Sequence, residues 1–393
     1  MSFASIFTPK KAHLTLIVDV GSASVGAALI STKDPRTPLI LESVRVPMVF
    51  QDELNFKRFL DDTATSLKKV LEKIQKKHTP KHFCFILSSP WFVSQTRIFH
   101  YSSEKPFNIT KSFLADLVEK EVTEFEKVEL EKKHEMLSQH NVVIENKTMQ
   151  TKLNGYITAD PANKRAVEVE LSTFISLSAS ETLDLFRQVT QSVFHRDEIN
   201  FHTFLYAGYF LIHDILKLSN NFILMDINGE LTDVSVIHDG IVIETVSYPI
   251  GRNFLIRGIA KNLSTVPEEA ESILRASQEG TLNQVMIDKI HDALLPLRKE
   301  WIQSLRKVLE VSSYEYILPH DVYIMTHQDV GQIFADFIAL ENLDQFTITS
   351  QPFTPVVITN KMIGDHCRTD IGVNRDLFLM IESIFISNTE NVL

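Results

Sequence analysis

Residues 222–251 read FILMDINGELTDVSVIHDGIVIETVSYPIG, and this stretch most constrains the fold. The apolar run at 222–225, then Val234, Val236 and Ile237, then Ile241, Val242 and Ile243 predict three strands, the last opened by β-branched residues that suit a pleated sheet. Two tight turns join them, Asn228-Gly229 and Asp239-Gly240, dipeptides that tolerate positive φ and close hairpins. The first turn also carries Asp226, Thr232 and Asp233. A glycine-bearing hairpin tip flanked by Asp and Thr brings backbone N–H groups close to a phosphate and can hold a hydrated metal. The same unit occurs near the N-terminus, where residues 14–30 read LTLIVDVGSASVGAALI with Asp19, Gly21, Ser22 and Ser24 in the turn. Two strand–Asp–Gly–Ser/Thr–strand units about 200 residues apart predict two similar half-domains facing one cleft. Taken singly, either turn also reads as a polar turn that simply ends its strands.

On these residues the chain resembles actin-like proteins of the FtsA/PilM branch. Asp19-Val20-Gly21-Ser22 is similar to that superfamily's first phosphate loop, and Asp226-Ile227-Asn228-Gly229-Glu230-Leu231-Thr232-Asp233 to its second, usually DIGGGTTD. Pro249-Ile250-Gly251 resembles the P-x-G-G of FtsA-type proteins. The resemblance spans roughly residues 14–385 and implies an α/β fold: an actin-like (ribonuclease H-like) duplicated fold with an inserted 1C (SHS2-like) α+β subdomain. It further implies ATP between the two hairpins, with phosphates on backbone N–H groups near Gly21, Ser22, Gly229 and Thr232. Mg²⁺ would be held mostly through water by Asp19 and Asp226, and Asp233 or Thr232 would position water; Ser24 completes the implied nucleotide-binding set.

Three departures from that pattern point to weak or lost hydrolysis. Asn228, Glu230 and Leu231 stand where the family prefers Gly, Gly and Thr, and an acid aimed at a phosphate site repels it. The connecting segment 201–208 has no carboxylate where related ATPases use one; His202 lies near that place. The strand Val322-Tyr323-Ile324-Met325 is followed by Thr326-His327-Gln328-Asp329 rather than by the Gly-Gly that lets backbone approach the adenosine.

The 393 residues imply two domains or more. A net charge of −11 excludes the basic footprint of a nucleic-acid binder. Cys84 and Cys367 are too few for a disulfide framework and fit a reducing compartment. No signal peptide or membrane-spanning run is expected, which implies a cytoplasmic protein. Apolar Phe3, Ile6 and Phe7 beside Lys10 and Lys11 make either a frayed terminus or a weak membrane contact. No His/Cys metal spacing, Walker loop or nucleophile elbow is present; His134 and His140, and His195 and His202, read as surface or cap residues. Trp91 and Trp301 read as core or interface anchors.

In chain order, residues 12–107 predict β-β-β-α-β-β, with strands at 14–20, 26–31, 39–46, 83–87 and 91–100 and an amphipathic helix at 52–77. A long charged helix at 108–140, dense in both charges at 124–135, is followed by strands at 141–145, 151–158 and 165–177 and a helix at 180–193. Residues 252–263 and 266–278 predict helices, 283–311 a long helix or pair, 321–325 a strand, 330–340 a helix, and 376–386 a last helix. The resemblance divides the chain into subdomain 1A at 1–107 with 201–217 and 356–393, an inserted 1C subdomain at 108–200, and a second half (2A/2B) at 218–355.

The resemblance implies a cytoplasmic scaffold at the inner face of the membrane that binds a partner at the 1C/1A region, PilM-like in type IV pilus assembly. The end ISNTENVL lacks the basic amphipathic helix that closes FtsA, which favours that role. The alternatives are an FtsA-like division protein linking the Z-ring to the membrane, an active ATPase or sugar-kinase-like enzyme on the same fold, and an interaction module that binds no nucleotide. Self-association into filaments is a further expectation; nucleic acid is not an expected partner.

Overall fold

A computed structural model describes residues 14–31, 37–51, 55–131, 140–347 and 350–389. The apolar and basic N-terminal tail, residues 52–54 of the first expected helix, His134 and the last four residues lie outside the described residues. The elements run β1 (Leu14–Val20), β2 (Ser24–Ser31), β3 (Leu39–Pro47), α1 (Phe56–Gln75), β4 (His82–Leu87), β5 (Val93–Asn108), α2 (Lys111–Glu131), β6 (Asn141–Leu153), β7 (Tyr156–Ile157), β8 (Arg165–Ala179), α3 (Ser180–Phe194), β9 (Asn200–Thr203) and α4 (Phe204–Phe210). They continue through β10 (Phe222–Ile227), β11 (Thr232–His238), β12 (Ile241–Tyr248), α5 (Arg252–Leu263), α6 (Pro267–Gln278), α7 (Gln284–Glu315), β13 (Asp321–Thr326), α8 (Gly331–Ala339), β14 (Thr354–Val357), α9 (Asn360–Ile363), β15 (Arg368–Thr369) and α10 (Leu377–Thr389).

Two sheets repeat one plan. The first has the order β15-β3-β2-β1-β4-β9 and the second β12-β11-β10-β13-β14. In each, a three-strand antiparallel meander lies beside two parallel strands that enter after crossovers. β1 and β10 are the central strands and are buried almost throughout, which is why they read as near-continuous apolar runs. Asp19 is the penultimate residue of β1 and Asp226 that of β10, so the duplication sets the two carboxylates at equivalent strand ends. One core fills the first sheet with α1, α3, α4 and α10; a second fills the other sheet with α5, α7 and α8.

The third sheet, β5-β8-β6-β7, carries α2 against one face through Leu117, Val169 and Leu171. Three details differ from the periodicity reading. β5 extends to Asn108 and pairs with β8, so this sheet begins at Val93 and α2 only at Lys111. β6 runs unbroken to Leu153, and Asn154-Gly155 turns it into the short β7. α3 packs its apolar face into the first core beside α1 through Leu183, Phe186 and Val193, rather than onto the third sheet. α7 is a single helix despite Pro296. Local pattern cannot assign an amphipathic helix to one of two neighbouring cores, which is why α3 reads as part of the insertion.

Candidate functional site

The two hairpin tips meet. Asp19 and Asp226 face the same space: beyond the effect of burial, Asp226 feels the charge of its neighbour Asp233 and then that of Asp19. All eight residues picked from the sequence, Asp19, Gly21, Ser22, Ser24, Asp226, Gly229, Thr232 and Asp233, lie on the β1–β2 and β10–β11 hairpins that form this junction. What fills their hydrogen bonds comes from within the chain. The Ser22 N–H donates to Asn228 Oδ1 at 3.2 Å and the Gly229 N–H donates to the same oxygen at 2.8 Å. The Ser22 hydroxyl also reaches it at 3.3 Å, while the Glu230 N–H donates to Ser22 Oγ at 2.9 Å. The Gly21 N–H donates to the Ser24 carbonyl at 3.2 Å. Thr232 Oγ1 donates to the Ile250 carbonyl at 2.7 Å, and Asp233 accepts the Ser247 hydroxyl.

The tips are also in direct contact. A Cβ on Gly229 would lie 2.3 Å from the Ala23 Cβ and 2.8 Å from the Ala23 nitrogen, so only glycine fits there. A Cβ on Gly251 would lie 2.4 Å from the Asn228 carbonyl oxygen. Glu230, expected to aim at a phosphate, is instead turned onto α5. Its carboxylate takes Arg257 through two bonds, at 2.7 and 3.1 Å, and Asn253 Nδ2 at 2.7 Å.

Beside Asp19 sits a buried charge network that no local motif announced. Arg45 of β3 donates to Asp19 at 2.7 Å and to Ser24 Oγ at 2.9 Å, and makes a fork to both oxygens of Asp376 at 2.6 and 2.8 Å. Asp376 also caps α10 by accepting the Leu379 N–H at 3.2 Å. Burial opposes the charge on Arg45, but Asp376 and Asp19 outweigh it and raise its pKa above the ordinary value. The Asp376 carboxyl is held low: burial would raise it, and Arg45 wins. Asp19 goes the other way, because burial outweighs its share of the Arg45 charge. Glu382 on α10 is wholly buried, with neither oxygen hydrogen-bonded, and burial and then Asp19 push its pKa well above the usual carboxylate range. Asp19, whose charge acts on it, likewise keeps a buried Oδ1 without a hydrogen-bond partner.

Two adjoining cavities of about 550 Å³ each open from this junction. Arg252 stands between them, gripping Asp329 through Nε at 3.0 Å and Glu271 through Nη2 at 2.7 Å. His327, in the segment expected to carry Gly-Gly, is neutral: burial and the cations Arg252 and Arg45 lower its pKa to about 4. His202, read from the sequence as near a missing carboxylate, meets one from the third sheet. Glu145 of β6 approaches His202 Nδ1 at 3.1 Å and accepts the Thr203 N–H at 3.0 Å and its hydroxyl at 2.6 Å.

The donor set does not fit a nucleotide's phosphates. The four tip N–H groups at Gly21, Ser22, Gly229 and Glu230 are all engaged, and the tips touch where phosphates would lie. For Mg²⁺ the fit is partial. Asp226 keeps a buried, unpaired Oδ1, and burial, Asp233 and Asp19 raise its pKa well above the usual range, but Asp19 is taken by Arg45. Among the described residues no three His, Cys, Asp or Glu side chains are grouped to hold a metal. Arg45, Asp376 and Glu382 escaped the sequence reading because their partners lie far away along the chain, Arg45 and Asp376 being separated by 331 positions.

No protein-family profile and no curated protein matches the chain. Solved structures do. A chain of a PilM–PilN type IV pilus biogenesis complex is similar at a TM-score of 0.60 and 11% identity, over 95% of this chain and 96% of that one. The ethanolamine utilization protein EutJ from Carboxydothermus hydrogenoformans scores 0.43 at 12% identity, over 95% and 89% of the two chains. An actin-like ATPase-fold protein of unknown function from Bacteroides thetaiotaomicron scores 0.43 at 11% identity, over 90% and 93%. With the duplicated sheet order and the paired Asp-bearing hairpins, the match to a chain of the PilM–PilN complex shows that the chain has the actin-like duplicated α/β fold.

Proposed function

We propose that this protein is an actin-like scaffold that recruits a membrane-bound machine by holding an extended segment of a partner, in the manner of PilM in type IV pilus assembly. The observation that carries this reading is a cavity of about 410 Å³ between two sheet edges, β5 of the third sheet and β12 of the second. Phe92, Phe125, Phe174 and Val242 supply apolar wall, and Glu244 lines it with a buried Oε2 that has no hydrogen-bond partner. Two strand edges present unpaired backbone groups that an added strand satisfies, and a lone buried carboxylate oxygen favours a basic residue in that strand. Tyr316 also lines the cavity, and a few residues before it in sequence Val311 and Tyr314 are 57% and 90% exposed.

In this reading, residues 1–107, 201–217 and 356–393 make up subdomain 1A, 108–200 the 1C insertion and 218–355 the second half, except that β5 joins the 1C sheet and α3 the 1A core, and the partner lies between 1C and the second half rather than at the 1C/1A region. The partner is the cytoplasmic tail of a membrane protein. That tail holds the scaffold at the inner face of the membrane, in keeping with the lack, among the described residues, of any helix long and apolar enough to cross it. No step through ATP is assigned, because the tips do not fit its phosphates.

Synthetic tails of membrane proteins encoded beside this gene, titrated by fluorescence anisotropy, test the proposal. One tail binds wild type and binds Glu244→Lys or Phe125→Asp at least about tenfold more weakly, a loss of ~1.4 kcal/mol. Equal binding by wild type and both variants overturns the assignment.

A further inference from the structure

We propose that the places of a nucleotide's phosphate and cation are taken by this chain's own side chains, Asn228 and Arg45, so that the two halves are joined permanently without a ligand. This goes beyond the scaffold reading and stands or falls separately, since partner binding enters nowhere in it.

A phosphate oxygen between two loop tips is an acceptor that gathers N–H groups from both. Asn228 Oδ1 does this: it collects the Gly229 N–H from its own tip and the Ser22 N–H and hydroxyl from the other. The Ser22 hydroxyl in turn accepts the Glu230 N–H, so the bridge runs in both directions across 206 and 208 positions of chain. A cation at such a junction neutralises the strand-end carboxylates. Arg45 does this for Asp19 from 2.7 Å and anchors itself on Asp376. Its guanidinium lies against Gly26, where a Cβ would come within 2.9 Å of Cζ, so the strand leaves room for it. A glycine at position 228 would leave the amides open for a ligand; the asparagine supplies the acceptor.

The test uses the full chain, with Mg-ATP, MgCl₂ alone and inorganic pyrophosphate as probes, read by thermal melting and calorimetry. The wild-type midpoint is expected not to move with any of them at millimolar concentration. Asn228→Ala strips the acceptor and is expected to lower the midpoint by several degrees, part of which pyrophosphate or Mg-ATP restores. Asn228→Asp keeps an acceptor for the same N–H groups and is expected to melt near wild type and to ignore both probes. A wild-type midpoint that rises with Mg-ATP, and no longer rises in Asp226→Ala, overturns the proposal. So does an Asn228→Ala protein as stable as wild type, or an Asn228→Asp protein as weak as Asn228→Ala. If Asn228→Ala fails to accumulate, the wild-type titration and Asn228→Asp still decide the matter.

Discussion

Removing Arg45 is the sharpest probe of how this junction is held. Its guanidinium joins β1, β2 and α10 from β3, through Asp19, Ser24 and Asp376, and its side chain is 19% exposed. Arg45→Ala leaves two buried carboxylates without a cation, beside a third acid in Glu382. Taking one member from a buried ion pair costs ~3–5 kcal/mol, because the other charge stays buried and uncompensated. The lower end applies here, since Arg45 borders a cavity that admits water and Asp376 keeps its bond to the Leu379 N–H. The cost depends on pH. In wild type the Asp376 pKa is depressed, so its contribution is present above the unfolded carboxylate pKa and is lost as pH falls through the folded value. Without Arg45 that carboxyl becomes a buried acid with a raised pKa, which is relieved by protonation as pH falls. The gap between variant and wild type is therefore expected to be about 3 kcal/mol at pH 7.5 and clearly smaller at pH 5. Urea unfolding followed by tryptophan fluorescence reads it. Trp91 stacks on Phe59 at 5.0 Å in the first core and Trp301 is buried in the second, so single-tryptophan versions resolve the halves. The Trp91 transition should move more than the Trp301 transition. A variant within about 0.5 kcal/mol of wild type, the scatter of ordinary surface substitutions, or a deficit identical at both pH values would refute the argument.

Glu382→Gln should stabilise the protein at pH 7.5 and flatten its pH dependence. An acid whose folded pKa is raised withdraws stability as pH climbs above the unfolded carboxylate pKa, so wild type should be firmer near pH 5 than at pH 7.5. Gly229→Ala should cost ~1–3 kcal/mol, as overpacking does, because its new methyl meets Ala23 at 2.3 Å; equal melting points would mean that the tips do not touch in solution. Glu145→Ala should loosen the third sheet from the first. The Thr203 N–H and hydroxyl lose their acceptor at ~1–3 kcal/mol for buried groups, and hydrogen exchange in β6 and β9 should quicken relative to β10.

Much of the architecture follows from local pattern. β1 and β10 are apolar for most of their length with Asp as the penultimate residue, and a chain that writes this unit twice writes two half-domains, since each central strand needs its own two-faced cover. Asp239-Gly240 closes its hairpin with both residues at positive φ, whereas neither Asn228 nor Gly229 takes that conformation and Gly229 is required by its contact with Ala23; Asp19, Ser22, Asp226 and Gly229 meet because equivalent strand ends face each other. The swap of Gly for Asn at position 228 was visible as a departure, but as a lost glycine rather than as an acceptor for the opposite tip. What the tips bind was a tertiary decision. Asn228 finds Ser22, Arg45 finds Asp376, Glu145 finds Thr203 and Glu230 turns away to Arg257, and no spacing along the chain encodes those meetings. Strand and turn preferences act over a few residues and are written in them. Hydrogen bonds and ion pairs in a buried cleft depend on which atoms the finished packing brings within about 3 Å, and only the assembled fold sets that distance.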